Sequence, residues 1–130
     1  MKRSIYFFLF GLWMFSPFFV KADHYPINKN IDVIHYAFNL SLSDSTNEIL
    51  GSTLVTVKFK EAGMQNLRLD FVNKTALRQA KGMVVESVMM GNTQINYTHQ
   101  NDELIIFLPN PSTQLQVVTF TIKYHGIPYD

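Results

Sequence analysis

The chain has 130 residues, 47% of them hydrophobic, a formal net charge of +1 and no cysteine. That length suits one domain, and the missing cysteines exclude a disulfide framework, a thiolate nucleophile and any Cys-ligated zinc. Three basic residues, Lys2, Arg3 and Lys21, lie in an N-terminal leader; from Asp23 onward eight Lys+Arg face ten Asp+Glu, a net of −2, so no basic stripe remains for nucleic acid.

Met1 to Ala22 has the three zones of a secretory signal. Lys2 and Arg3 form the positive start, Ile5 to Val20 an apolar run dense in Phe, and Val20-Lys21-Ala22 places small or β-branched residues at the two positions a signal peptidase reads. Cleavage is expected after Ala22. The competing reading is an uncleaved anchor, but the apolar run holds Ser16 and Pro17 and falls short of the roughly 20 apolar residues a span needs. No membrane span is expected after cleavage. The leader predicts an exported protein, periplasmic or secreted, and a cysteine-free exported domain suits a bacterial setting. The sequons at Asn39, Asn73 and Asn96 matter only in a glycosylating host.

From Asp23 to Asn30 the chain is a polar lead-in. Ile31 to Phe59 then reads as an amphipathic β-hairpin broken at Ser43 to Asn47. Ile34, Tyr36, Phe38, Leu40 and Leu42 share one parity; Val55, Val57 and Phe59 share another, opposite Thr56, Lys58 and Lys60. Gly51, early in the second strand, marks a bulge or a close backbone approach. Glu61 to Asn66 is a turn, and Leu67, Leu69 and Phe71 alternate with Arg68 and Asp70 in a short third strand. Asn73 to Gly82 is a loop or a single helical turn, too short for an independent helix. Met83 to Met90 is a strand, Gly91-Asn92 a turn, Thr93 to Thr98 a strand, His99 to Asp102 a polar turn, and Glu103 to Leu108 a strand stopped by Pro109 and Pro111. Leu115 to His125 closes the chain, with Val118, Phe120, Ile122 and Tyr124 inward.

About seven strands with short turns predict an all-β antiparallel sandwich over 23–130 behind a 1–22 leader. Phe38, Phe59, Phe71, Phe107 and Phe120 are the expected core aromatics. The chemistry-bearing residues form no recognisable constellation. His24, His35, His99 and His125 lack zinc-helix spacing, and His35 falls on a polar face. Asp102 and Glu103 are adjacent in a turn, so their side chains diverge; Asp70 points outward. There is no nucleophile elbow and no phosphate loop. Met83, Met89 and Met90 read as core filling rather than a ligand box. No catalytic, cofactor-binding or metal residue is assigned.

The order of small signatures carries a resemblance. Ile31-Asp32-Val33-Ile34-His35-Tyr36 opens the first strand and Gly51 marks the second. Leu67-Arg68-Leu69-Asp70-Phe71 follows, then Val88 with Gly91-Asn92, Asp102-Glu103-Leu104-Ile105-Ile106, and a close on Tyr124-His125-Gly126-Ile127-Pro128. This resembles the N-terminal β-sandwich, or saddle, domain of the aminopeptidase N family of zinc metallopeptidases, over essentially all of Asn30 to Asp130. The resemblance implies a non-catalytic domain that packs on a thermolysin-like catalytic domain and walls its cleft. That domain would bring the G-A-M-E-N motif, the H-E-x-x-H helix and the zinc; none of these motifs stands in this sequence. The implied partner is thus the catalytic metallopeptidase domain of a parent protein, and the implied zinc is the partner's. The alternative is a stand-alone exported immunoglobulin-like binding or adhesion module.

Overall fold

The structure is a computed structural model that describes residues 28–129. The leader Met1–Ala22 and His24 lie outside the described residues. Within them, alternation in the sequence becomes eight antiparallel strands in two sheets. The strands are β1 (Ile31–Ser43), β2 (Thr46–Phe59), β3 (Asn66–Asp70), β4 (Gly82–Met90), β5 (Thr93–Gln94), β6 (Tyr97–Gln100), β7 (Glu103–Phe107) and β8 (Val117–Ile127). One sheet runs β1-β2-β8-β4-β5 and the other β3-β7-β6. The expected strand at Thr93–Thr98 divides into β5 and β6. Ile95 and Asn96 break the ladder between them, and Ile95 is buried in the core. The ambiguous Asn73–Gly82 segment contains one turn of 3-10 helix at Ala76–Arg78.

The last strand in sequence is the middle strand in space. β8 pairs with β2 from Ile49↔Gly126 to Lys58↔Val117, and with β4 from Gly82↔Ile127 to Met90↔Phe120. Its alternation is kept without a break. Val118, Phe120, Ile122 and Tyr124 point inward and are buried, while Val117, Thr119 and Lys123 are exposed. β2 supplies Val55, Val57 and Phe59 to the same core, and the second sheet covers them with Leu67, Leu104 and Ile106. These six side chains and Phe120 are at most 1% exposed.

Two glycines allow close approaches. At Gly51 an added Cβ would collide with the Tyr124 ring, which lies across the strand, its hydroxyl 3.1 Å from Thr53 Oγ1. At Gly126 it would collide with the Gly82 carbonyl, where β8 meets the start of β4. Of the two sequence readings for Gly51, close approach holds: β2 keeps its register with β1 and β8 on both sides of that residue.

The first hairpin differs from the expectation in one instructive way. The ladder slips between Val33 and His35: Val33 pairs with Val57, and His35 with Thr56. Ile34 is the extra residue of a bulge. Before it, Ile31 and Val33 share the inner face with Phe59 and Val57; after it, Tyr36, Phe38, Leu40 and Leu42 do. Two phases of a period-two pattern are therefore spliced in one strand.

The core list also needs correction. Phe59 and Phe120 are fully buried and Phe71 is partly buried, but Phe38 is 64% exposed and Phe107 is 40% exposed. In β7 the inward parity is that of Leu104 and Ile106, which turns Phe107 outward. Phe38 is on the inner parity, but among the described residues no second layer covers it. The expected result is that Phe120→Ala costs about 3–5 kcal/mol in urea unfolding. Phe38→Ala and Phe107→Ala should each cost about 1 kcal/mol or less, because both rings are exposed rather than buried in the core.

Candidate functional site

Two places gather polar and apolar side chains in ways that bear on function. One is the open side of the sandwich. The second sheet has three strands against five, and its β6 end sits over β4, where the Tyr97 hydroxyl donates to the Val85 carbonyl at 2.9 Å. Its other end, β3, stops short of β1. Among the described residues the inner face of β1 past the bulge is consequently bare: Tyr36, Phe38, Leu40 and Leu42 are 46%, 64%, 51% and 72% exposed. Tyr36 and Phe38 stack with their ring centres 5.7 Å apart. Between β1 and β3 lies a cleft of about 250 Å³. Its walls are Tyr36 and Phe38 on one side and Leu69, Asp70 and Phe71 on the other, with Thr53, Ile122 and Tyr124 on the floor. Partial burial, and secondarily the charge of Asp70, pushes the Tyr36 hydroxyl above its ordinary range.

The other place is a clamp at the chain's C-terminal end. Asn101 and Asp102 turn the chain with positive φ, at 53° and 62°. Asp102 receives two hydrogen bonds from the Arg78 guanidinium, one of them at 2.8 Å, and a third at 3.0 Å from the backbone N–H of Asn73. Asn73 Oδ1 accepts in return from the Asp102 N–H at 2.8 Å. The Arg78 guanidinium also lies 5.1 Å from the centre of the Tyr129 ring. The hydrogen bonds from Arg78, and then that from Asn73, hold the Asp102 carboxyl below the usual carboxylate range. Nearby, Arg68 ties two carboxylates together. Its NH2 group donates to Asp70 at 2.8 Å. Its Nε is also 2.8 Å from Glu103 Oε1, but that N–H does not point at the oxygen, so the second contact is an ion pair without a hydrogen bond.

The residues singled out from sequence fall as follows. His35 is exposed on the outer face of β1. His99, expected in a turn, lies in β6 and stacks on Phe71 at 5.2 Å; its Nε2 donates to the Phe71 carbonyl at 2.9 Å, which fixes the proton on that nitrogen. His125 places Nδ1 2.7 Å from Glu86 Oε1. Asp102 and Glu103 do diverge, one to Arg78 and the other to Arg68. Met83 and Met90 pack against the core. Among the described residues, no three His, Asp or Glu side chains come together in a way that could hold a metal ion. Sequence reasoning missed Arg78 and Asn73, because a clamp between a loop and a turn 24 to 29 residues away leaves no local pattern.

No family model and no curated protein matches the chain. Solved structures do. The chain is similar to an M1 zinc metallopeptidase from Deinococcus radiodurans, in a mutant form bound to a Tyr-Ser-Ala substrate, with a TM-score of 0.63 and 19% identity over 77% of this chain and 21% of that one. It is also similar to a two-domain M1 zinc metallopeptidase mutant bound to L-tryptophan, with a TM-score of 0.64 at the same identity and coverage. At this identity the likeness is one of fold, and the chain spans about a fifth of the neighbours' length.

Two outcomes follow from the two places. The isolated chain should bind the apolar dye ANS in its native state, and Phe38→Ser with Leu40→Ser should remove most of that fluorescence while far-UV circular dichroism is unchanged. For the clamp, a folded carboxyl held below its unfolded value contributes stability that is fully present above the unfolded value and is lost as pH falls through the folded one. The thermal midpoint should therefore drop on acidification below about pH 4, and Asp102→Asn should be destabilised at neutral pH and show a flatter acid limb.

Proposed function

We propose that this chain is the amino-terminal, non-catalytic β-sandwich domain of an exported zinc aminopeptidase, and that the inner face of β1 is where its catalytic domain sits. The observation that carries this reading is the uncovered strip of Tyr36, Phe38, Leu40 and Leu42 beside the β1–β3 cleft. Contiguous apolar surface of this kind is a mark of an interaction site. An aromatic pair next to a concave pocket is also the usual make-up of an interface anchor. The fold likeness supports the identity of the partner, since the neighbours are zinc metallopeptidases in which the matching part is 21% of the chain. The leader Met1–Ala22 supports export.

In this reading the metal and the bond-breaking chemistry belong to the partner domain; among the described residues no three His, Asp or Glu side chains converge. The contribution of this chain is mechanical. A rigid sheet held by β8 presents the strip, and the Arg78–Asp102–Asn73 clamp holds the neighbouring loop and turn in place.

Three measurements test the reading. Beyond codon 130, the locus should encode G-A-M-E-N and H-E-x-x-H motifs; a stop codon followed by unrelated sequence sinks the proposal and favours the stand-alone binding module. In the parent polypeptide, Phe38→Asp with Leu40→Asp should destabilise the joined domains by about 2 kcal/mol or more, since charges would be buried at the contact. Chelator-sensitive turnover of chromogenic aminoacyl substrates by this chain alone would equally overturn it.

A further inference from the structure

The four strands that end the two sheets are not alike. β5 has two residues, β6 four and β3 five. Short edge strands are one of the ways proteins avoid unwanted pairing. β1 has thirteen residues, and past the bulge at Ile34 it carries none of the usual protection. From Ile31 to Ser43 it contains no Lys, Arg or Pro, and its one carboxylate, Asp32, stands at the start. The register with β2 is unbroken from His35 to Ser41, and the irregularities fall on either side of that span. The other edge of this span faces no strand among the described residues. It is therefore a straight run of backbone donors and acceptors with an apolar strip on one side.

We propose that this edge pairs with β1 of a second copy of the chain, antiparallel about a two-fold axis at Asn39. In that register Asn39 lies opposite the partner's Asn39, Phe38 opposite the partner's Leu40, and Tyr36 opposite the partner's Leu42. Every apolar residue meets an apolar one on the inner face, and the symmetry forms each such cross-strand pair twice. Ala37 meets the partner's Ser41 and His35 meets the partner's Ser43 on the outer face, so no like charges fall opposite each other. The two five-stranded sheets join edge to edge. Growth stops at two copies, because the far edge, β5, is two residues long and offers no ladder to a third. The contact uses the strand's edge and leaves the inner face to a partner domain, so it does not rest on the metallopeptidase reading.

The chain's lack of cysteine makes the test clean. Asn39→Cys places two thiols directly opposite each other. Residues so paired have Cα atoms about 4.5–5.5 Å apart, inside the disulfide range of about 4.4–6.8 Å. The chain carrying Asn39→Cys should give a single disulfide-linked dimer under mild oxidation. Ser41→Cys, on the same strand and the same face, should not, because its mate would be four residues away along the ladder. By sedimentation velocity the unmodified chain should show a concentration-dependent dimer, and Asn39→Asp should weaken it by up to about five-fold at low salt. A monomer at every concentration, equal cross-linking of the two cysteine variants, or masses that climb past the dimer would each overturn the proposal.

Discussion

Everything in this fold hangs on β8. It is the strand that turns two separate antiparallel pieces, the β1–β2 hairpin and the β4–β5 hairpin, into one sheet. Its inward residues, Val118, Phe120, Ile122 and Tyr124, form the ridge on which the second sheet rests. A central strand must satisfy its backbone on both sides and bury one side chain in two, and the uninterrupted alternation from Val117 to Tyr124 meets both demands. Because β8 pairs with strands distant from it in sequence, most of the large sheet depends on contacts between residues far apart in the chain. Such topologies fold slowly for their size.

The second constraint is unequal width. Neighbouring strands lie about 4.8 Å apart, so a three-stranded sheet cannot roof a five-stranded one. β5 is too short to count for much at one end, and the deficit therefore falls on β1 at the other. That single mismatch accounts for the stacked Tyr36 and Phe38, the cleft against Leu69 and Phe71, and the perturbed Tyr36 hydroxyl.

The fold class was legible because period-two alternation is a local signal. Val55, Val57 and Phe59, like Val118 through Tyr124, are buried as their parity requires. Four features were hidden for physical reasons. A bulge shifts phase without changing composition, so Ile34 reads as one more apolar residue on the face of Tyr36. Five successive apolar residues in Leu104–Leu108 offer two parities, and only the second sheet's packing chooses Leu104 and Ile106 over Phe107. Parity also says which face a side chain shares, not whether another layer covers that face, and this is why Phe38 was placed in the core. The Arg78–Asp102 clamp is a tertiary meeting of two loops and leaves no trace in spacing.

The crossing of Gly51 by the Tyr124 ring has an evolutionary consequence. A larger residue at 51 needs a smaller one at 124, and a smaller residue at 124 leaves a void beneath Thr53 and a hydroxyl without its mate. Each single step passes through a damaged intermediate, overpacked along one route and hollow along the other. The three positions therefore form one inherited unit. In descendants of this chain they are expected to persist together or to be replaced together, and a substitution tolerated at one of them is a sign that another has already changed.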